Sequence, residues 1–400
     1  MTLAVSFSPS VGAPRTLGDI YGPGIAVCAR PPVADNGPAA THRHNRDVAS
    51  ARPVSVAGDT PLICSAGGTD PALLAQLREG GMPVGTELRE FRTEAEFELQ
   101  VAAAVADGLL ISMEYPQPAA LVPDAYAVKT AGLVGFLNNK ASISTFVDPA
   151  FRARRRIVSR ADLRAATPRA TSWVLKAATD DAHRGNLDVY LHRAGEPIRW
   201  PAFTRVLTEF VIEEYLELVR NWGIQFFVEP GGTARLLAVT EQRIDSAGLY
   251  DGGRFGLVDA PPPALLDECQ AITQRAADLG YRGMCSLDCA ETRDGRLIML
   301  DLNFRITGGS IPLLALQTVR PEALDRPAES VSLAAAAPLA DLLAALRPAL
   351  SAGGLVVVAG HDTARTDHPV RLSNLQLVVY GDDPDEVARR RAALTALFGA

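Results

Sequence analysis

The stretch CSLDCAETRDGRLIMLDLNFR, residues 285–305, carries more of this chain's function than any other. Asp294-Gly295 is the strongest short-range hairpin signal, and it lies between two apolar runs. Asp288 stands six residues before Asp294, and Asp301 six residues after Gly295. A two-residue turn would therefore set the two carboxylates directly across from each other. Asn303 and Arg305 share their face, because strand side chains alternate. Like charges directly opposed on a sheet are destabilising. A cation between them removes the penalty, and Mg²⁺ held by one or two carboxylates plus substrate phosphates is the usual solution. Taken alone, the same acids also fit an edge strand that carries charge against aggregation.

Four hundred residues exceed one ordinary core, so two or three domains are expected. The composition is globular, 48% apolar and 21% charged, and no apolar run is long enough to span a bilayer. Met1 to Pro14 lacks a basic start followed by an apolar block, so no signal peptide is expected. The cysteines are odd in number and scattered, which fits a reducing cytosol. Cys285 and Cys289 fall on the face opposite Asp288 and read as buried thiols. A net charge of −7 with no basic domain argues against nucleic acid as a partner. The arginine-rich run from Arg152 to Arg164 reads as a solvated face. Lysine is confined to Lys129, Lys140 and Lys176, although arginine is abundant. A bias toward arginine codons explains this plainly. Under such a bias a retained lysine marks a place for a compact point charge, as at a phosphate oxygen.

Met1 to about Val56 has little periodicity and reads largely as loop. His42 and His44 lie there, and metal binding by them is not expected. A βαβ pattern follows: strand Pro61 to Ser65, helix Pro71 to Gly80, helix Thr93 to Ala106, strand Gly108 to Met113. Gly67-Gly68 between the first strand and helix reads as a tight turn, with phosphate cradling a weak alternative. Ala131 to Asn139 reads as a helix, Ser172 to Ala177 and Glu209 to Leu216 as strands. Pro230-Gly231-Gly232 joins a hairpin, and Pro261 to Gly280 is a helix leading into the opening stretch. Beyond Pro321 the pattern gives a helix over Ser332 to Leu350, strands Gly354 to Ala359 and Leu372 to Tyr380, and a terminal helix from Asp385.

In chain order there is a lysine after a helix, a lysine ending an apolar strand, a polar loop from Asp180 to Asn186, an apolar strand ending Glu213-Glu214-Tyr215-Leu216, and the acidic hairpin. This order resembles the ATP-grasp superfamily over residues 130–312. The resemblance implies an α/β (α+β) ATP-grasp fold. Its parts would be an N-terminal βαβ (pre-ATP-grasp) domain over residues 1–125, an ATP-grasp domain over 126–320, and a small α/β C-terminal extension over 321–400. It implies ATP and two Mg²⁺ ions as cofactors. Lys140 and Lys176 would neutralise the triphosphate, and the loop containing His183, Arg184 and Gly185 would cover it. Glu213, Glu214, Tyr215 and Leu216 would hold adenine, with Glu217 on the ribose. Asp288, Asp301 and Asn303 match the Mg²⁺ ligands. Arg305, working with Lys176, matches the group that steadies the transferred phosphoryl or acyl phosphate. Lys129 has no match and reads as a surface residue.

Thr240-Glu241-Gln242, Tyr250-x-Gly252-Gly253 and the C-terminal unit further resemble the pheganomycin-type peptide ligases. The resemblance implies a carboxylate–amine ligase that forms an acyl phosphate and then an amide, as in specialised metabolism such as antibiotic biosynthesis. Catalysis would be positioning and charge neutralisation. Small carboxylate and amine or peptide substrates are then the partners, a homodimer is compatible, and neither nucleic acid nor membrane is expected. Glu241 and Gln242 are either substrate contacts or sheet-edge hydrogen bonds. Gly308-Gly309-Ser310 is either a substrate-binding turn or a helix start. The competing readings are another ATP-grasp chemistry, a carboxylase or kinase, and a non-catalytic nucleotide-binding scaffold.

Overall fold

The computed structural model describes residues 4–5, 13–32, 39–180, 189–244 and 250–398. Four parallel strands, β1 (Ile25–Cys28), β2 (Leu62–Ser65), β3 (Leu88–Phe91) and β4 (Leu110–Met113), form the N-terminal sheet in the order β3-β2-β1-β4. Helices Pro71–Glu79 and Glu94–Ala106 supply crossovers. The first begins where expected, since Asp70 accepts from the Ala72 and Leu73 N–H groups and Pro71 needs no donor of its own.

The N-terminal region is more ordered than its sequence suggests. Leu17–Tyr21 is helical, β1 is a central strand, and Ala39–Ala51 is a helix of thirteen residues. That helix escapes an apolar-periodicity reading because it buries polar side chains: Arg46, Asp47 and Ser50. Asp47 meets the fully buried Arg30 at 2.9 Å, and Arg46 meets Glu94 at 3.0 Å. Burial of such groups is tolerable only with partners of this kind. The Gly67-Gly68 turn is buried beneath this helix. A Cβ at Gly68 would run into Ala51, and one at Gly67 into His361, so the glycines serve close backbone approach. Gly68→Ala should therefore lower stability by about 1–3 kcal/mol, visible as an earlier thermal melt. An unchanged melt would mean that the helix can retreat freely.

A second sheet is antiparallel, with β5 (Arg155–Ser159), β6 (Trp173–Ala177), β7 (Val189–His192) and β8 (Glu209–Glu214) in the order β5-β8-β6-β7. The third and largest contains β9 (Leu218–Val228), β10 (Ala234–Ile244), β11 (Tyr250–Gly256), β12 (Gly283–Thr292), β13 (Leu297–Asn303), β14 (Pro327–Ala335), β15 (Leu355–Asp362) and β16 (Ser373–Tyr380). Their order is β13-β12-β9-β10-β11-β14-β16-β15. Trp222, Ile224, Phe226 and Val228 alternate into a core with Leu265, Cys269, Ile272 and Ala276 of helix Pro263–Asp278. The two periods, 2 and about 3.6, meet there as they should.

Two expectations change. The helix expected from Ser332 starts at Leu339, because Pro327–Ala335 is strand, held along its length by β16 and at its start by β11. Pairing on both sides overrides the helical preference of its alanines. The C-terminal unit also does not stand apart. The β11–β14 pairing carries the large sheet across the expected boundary at 320/321, and one core joins Leu17, Leu62, Leu342 and Leu394.

Lys129 is not at the surface. It is 2% exposed and pairs with Glu114 at 2.9 Å. Its ammonium also donates to the Arg282 carbonyl at 3.2 Å and lies 4.8 Å from the Tyr281 ring centre. Glu114 further accepts from the Tyr21 hydroxyl at 2.9 Å and the Ile306 N–H at 2.7 Å. This buried pair bolts the N-terminal sheet to the segment that follows β13. Among the described residues no helix is long and apolar enough to cross a membrane.

Candidate active site

The acidic hairpin is β12 and β13. Near its turn Glu291 faces Leu297 and Cys289 faces Met299; farther on Asp288 faces Asp301 and Ser286 faces Asn303. The turn is not the two-residue form expected. Thr292 and Arg296 close it, with the Thr292 N–H donating to the Arg296 carbonyl at 2.9 Å, and Gly295 takes φ 81°. Only glycine adopts that conformation cheaply in a three-residue loop. The additional loop residue shifts the register by one, and a bulge at Leu300 shifts it back. The two departures cancel, so the two aspartates do face each other. The bulge also redirects a carbonyl, since Leu300 O accepts from Lys176 Nζ at 2.7 Å.

Around the aspartates the expected groups converge. Asn303 Nδ2 donates to Asp288 at 3.1 Å, and Arg305 donates to Asn303 Oδ1 at 2.7 Å. Lys140, just past helix Ala131–Asn138, places its ammonium on Asp301. Burial, and next the Asp301 charge, push the Asp288 carboxyl up to about 7, while Gln242, Lys140 and Arg305 pull it down. Arg305 Nε is buried without a hydrogen-bond partner among the described residues, and the guanidinium lies 5.5 Å from the Tyr115 ring centre. The Asp288 carboxyl, raised beside the Asp301 charge, suits a cation, and the unsatisfied guanidinium donor next to it suits an anion.

These residues line a cavity of about 300 Å³, together with Glu241, Gln242, Gly308 and Gly309. Ser310 is a correction: it is fully buried and donates to Gln225 Oε1 at 3.1 Å, while accepting from the Thr307 N–H at 3.0 Å. It braces the start of helix Ser310–Val319 and does not reach the cavity. Gln225, Gly223 and Ser286 do reach it. Strand alternation could have found the first two, since Trp222, Ile224 and Phe226 are the core face of the same strand.

Lys176 pairs with the buried Glu213 at 2.7 Å. Arg155 approaches the same carboxylate at 3.4 Å and donates to the Lys140 carbonyl, so the arginine-rich run is not uniformly solvated. Glu214 turns to the other face of β8, where Arg154 and Arg296 hold it at 2.8 and 2.9 Å and draw its carboxyl below the usual range. Tyr215 to Glu217 connects β8 to β9, the three-residue passage between the two sheets. Arg193 stacks 4.1 Å from the Tyr215 ring centre, and Leu216 is half-buried. The exposed Glu217 pairs with Arg293 at 2.8 Å on the hairpin turn and does not line the cavity. Asp180 accepts from Asn139 Nδ2 at 2.8 Å. His183, Arg184 and Gly185 lie outside the described residues. His44 bonds Asn374 at 2.5 Å, and among the described residues no group of three His, Cys, Asp or Glu side chains gathers as a metal site. All five cysteines are buried free thiols.

Residues 16–135 match the family model described as the L-aspartate–L-methionine ligase N-terminal domain, and residues 153–303 match the model of that ligase's ATP-grasp domain. Together the matches take in more than half of the chain. The chain belongs to the ATP-grasp ligases. It is an enzyme that forms a C–N bond at the expense of ATP, related to peptide ligases. Solved structures share the fold of this ATP-grasp ligase. The ADP complex of N5-carboxyaminoimidazole synthetase from Staphylococcus aureus is 10% identical with a TM-score of 0.57, covering 95% of this chain and 98% of that one. The Aspergillus clavatus synthase with ADP and 5-aminoimidazole ribonucleotide is 10% identical with a TM-score of 0.57, covering 94% and 98%. The Thermus thermophilus enzyme is 14% identical with a TM-score of 0.56, covering 94% and 98%. At these identities the likeness is one of fold.

Proposed function

We propose that this ATP-grasp ligase joins two small amino acids, activating the carboxylate of one as an acyl phosphate and passing it to the amine of the other. The observation that supports this reading best is the convergence of Asp288, Asp301, Asn303, Arg305 and Lys140 on one cavity, with Lys176 held beside it by Glu213 and Leu300 O. The donor set of two carboxylates and an amide oxygen suits Mg²⁺, which takes its remaining ligands from substrate phosphates and water. When bound, Mg²⁺ would neutralise charge on the phosphates. Lys140 and Lys176 would take up triphosphate oxygens, and the unpaired Arg305 Nε would steady the phosphoryl group as it moves to the carboxylate. Glu213 orients Lys176, and Tyr215 with Leu216 would border the adenine. Glu241, Gln242, Gly308 and Gly309 would face the joined substrates. The buried thiols suit a reducing, cytosolic setting.

The matched family names L-aspartate and L-methionine, and these are the first pair to try. ADP and phosphate should appear in equal amounts only when both amino acids, ATP and Mg²⁺ are present, with a dipeptide by mass spectrometry. ADP release that ignores every amino acid and amine offered would refute the reading. Lys176→Ala should cut turnover by about 10²-fold or more while the protein still melts cooperatively, since it removes a preorganised charge from the phosphates. Wild-type turnover in that variant would exclude Lys176 from the site.

A further inference from the structure

Arg52 is a cation in the cavity that phosphate activation does not use. It opens a short helical turn, Arg52–Val56, in which Pro53, Val54, Ser55 and Val56 are all buried. Ala51 before it lies against Gly68. The backbone carrying Arg52 is thus clamped on both sides. The half-buried side chain lines the same cavity as Arg305 and Gly308, and it has no hydrogen-bond or ion-pair partner among the described residues. Lys140, by contrast, is engaged by Asp301.

Arg52 also lines a second cavity of about 160 Å³, between helix Ala39–Ala51 and strands β14, β15 and β16. Val48, Ala359 and Leu375 give this side crevice apolar walls, and Asn374 and Gln376 add neutral polar groups. Among the described residues no carboxylate lines it, and burial lowers the His44 pKa, which favours its neutral form. Gln376 Nε2 donates to the Gly308 carbonyl at 3.1 Å and ties the crevice wall to the rim of the main cavity. Arg52 stands at the junction of the two.

We propose that Arg52 binds the free carboxylate of the amine substrate, while the side crevice receives that substrate's uncharged side chain. The assignment rests on the amino-acid ligase reading above. An amino acid that supplies its amine brings an unreacted carboxylate into the cavity, and a charge withdrawn from water needs a partner. Asp288, Asp301 and Glu241 repel it, and Lys140, Lys176 and Arg305 face the phosphates. Arg52 is the remaining cation of the lining among the described residues, and its planar fork matches a carboxylate with two parallel hydrogen bonds. A clamped backbone leaves little of that geometry to be ordered on binding.

Hydroxylamine, a small amine without a carboxylate, separates this proposal from the reading beneath it. Wild-type enzyme with ATP, Mg²⁺ and hydroxylamine is given L-aspartate or L-methionine singly; the one that yields a hydroxamate is the donor. The other is then offered as the free acid and as its carboxamide. The wild type should favour the free acid by roughly 10- to 100-fold in kcat/KM, the worth of a charge-assisted hydrogen-bond pair. In Arg52→Gln that ratio should fall to near one, through a higher KM for the free acid. Arg52→Lys should keep part of the preference, and it carries the comparison if Arg52→Gln does not fold. Equal use of acid and amide by the wild type, or a full preference retained in a folded variant, overturns the proposal. Absence of any hydroxamate from the wild type overturns the ligase reading, and this assignment with it.

Discussion

Asp288→Asn should cut turnover on the order of 10³-fold and, without added ligand at pH 8, raise the melting temperature. The two effects share one cause. On the proposed function the pair would hold a cation, and its charge is a burden without one. The Asp288 carboxyl sits near 7 in the fold, against an ordinary value of about 3.9 in the unfolded chain. A raised folded value means that the carboxyl's contribution to stability is fully present below about pH 4 and lost as pH rises through 7. The cost at pH 8 is on the order of a few kcal/mol. Asparagine carries no charge, so the variant's advantage should be large at pH 8 and absent near pH 4. Added Mg²⁺ with ATP should raise the wild-type melting temperature more at pH 8 than at pH 6, and the variant's very little. The loss of turnover would follow because Asp288 is one of the residues that would hold the ion on the phosphates. A variant no more stable than wild type at pH 8, or one with turnover near the wild-type rate, would remove Asp288 from this role.

Glu114→Ala should be the most destabilising single substitution among the polar residues. Glu114 accepts from Lys129, Tyr21 and the Ile306 N–H in a fully buried setting. Its removal leaves the Lys129 ammonium without a carboxylate, a loss of about 3–5 kcal/mol. That is a large share of the stability of an ordinary domain. The double change Glu114→Leu with Lys129→Met should recover most of it, since no charge is then left unpaired. Thermal melting of the two variants decides the matter; equal destabilisation would show that packing, not charge, is at stake. The double variant should remain slow, with kcat reduced more than the affinity for ATP, because the Ile306 N–H that fixes the chain beside Arg305 has lost its acceptor.

The acidic hairpin was legible because its chemistry depends on side-chain parity, which a strand conserves. Asp288, Asp301, Asn303 and Arg305 fell on one face, and Cys285 and Cys289 on the other. The turn was misread, yet its extra residue and the Leu300 bulge offset each other. Nothing in local sequence announces a bulge, since it is set by what the carbonyl meets, here Lys176. Arg155 and Lys129 were misjudged for the same reason. A charged residue reads as exposed until its partner, Glu213 or Glu114, arrives from a distant segment. Helix Ala39–Ala51 was missed because it buries ion pairs and histidine where an ordinary helix buries leucine.

The sequence by itself determined most of the strands and helices between Pro61 and Pro312, the shared face of Asp301, Asn303 and Arg305, and the short set of lysines that accompany them. These rest on periods of two and about 3.6 residues and on the chemistry of single side chains, which are local properties. Only the tertiary structure decided which charges are buried, that the C-terminal strands continue the large sheet, and that Arg52 lines the same cavity as Asp288 and Arg305. Such facts depend on contacts between segments tens to hundreds of residues apart, where no local pattern records the partner.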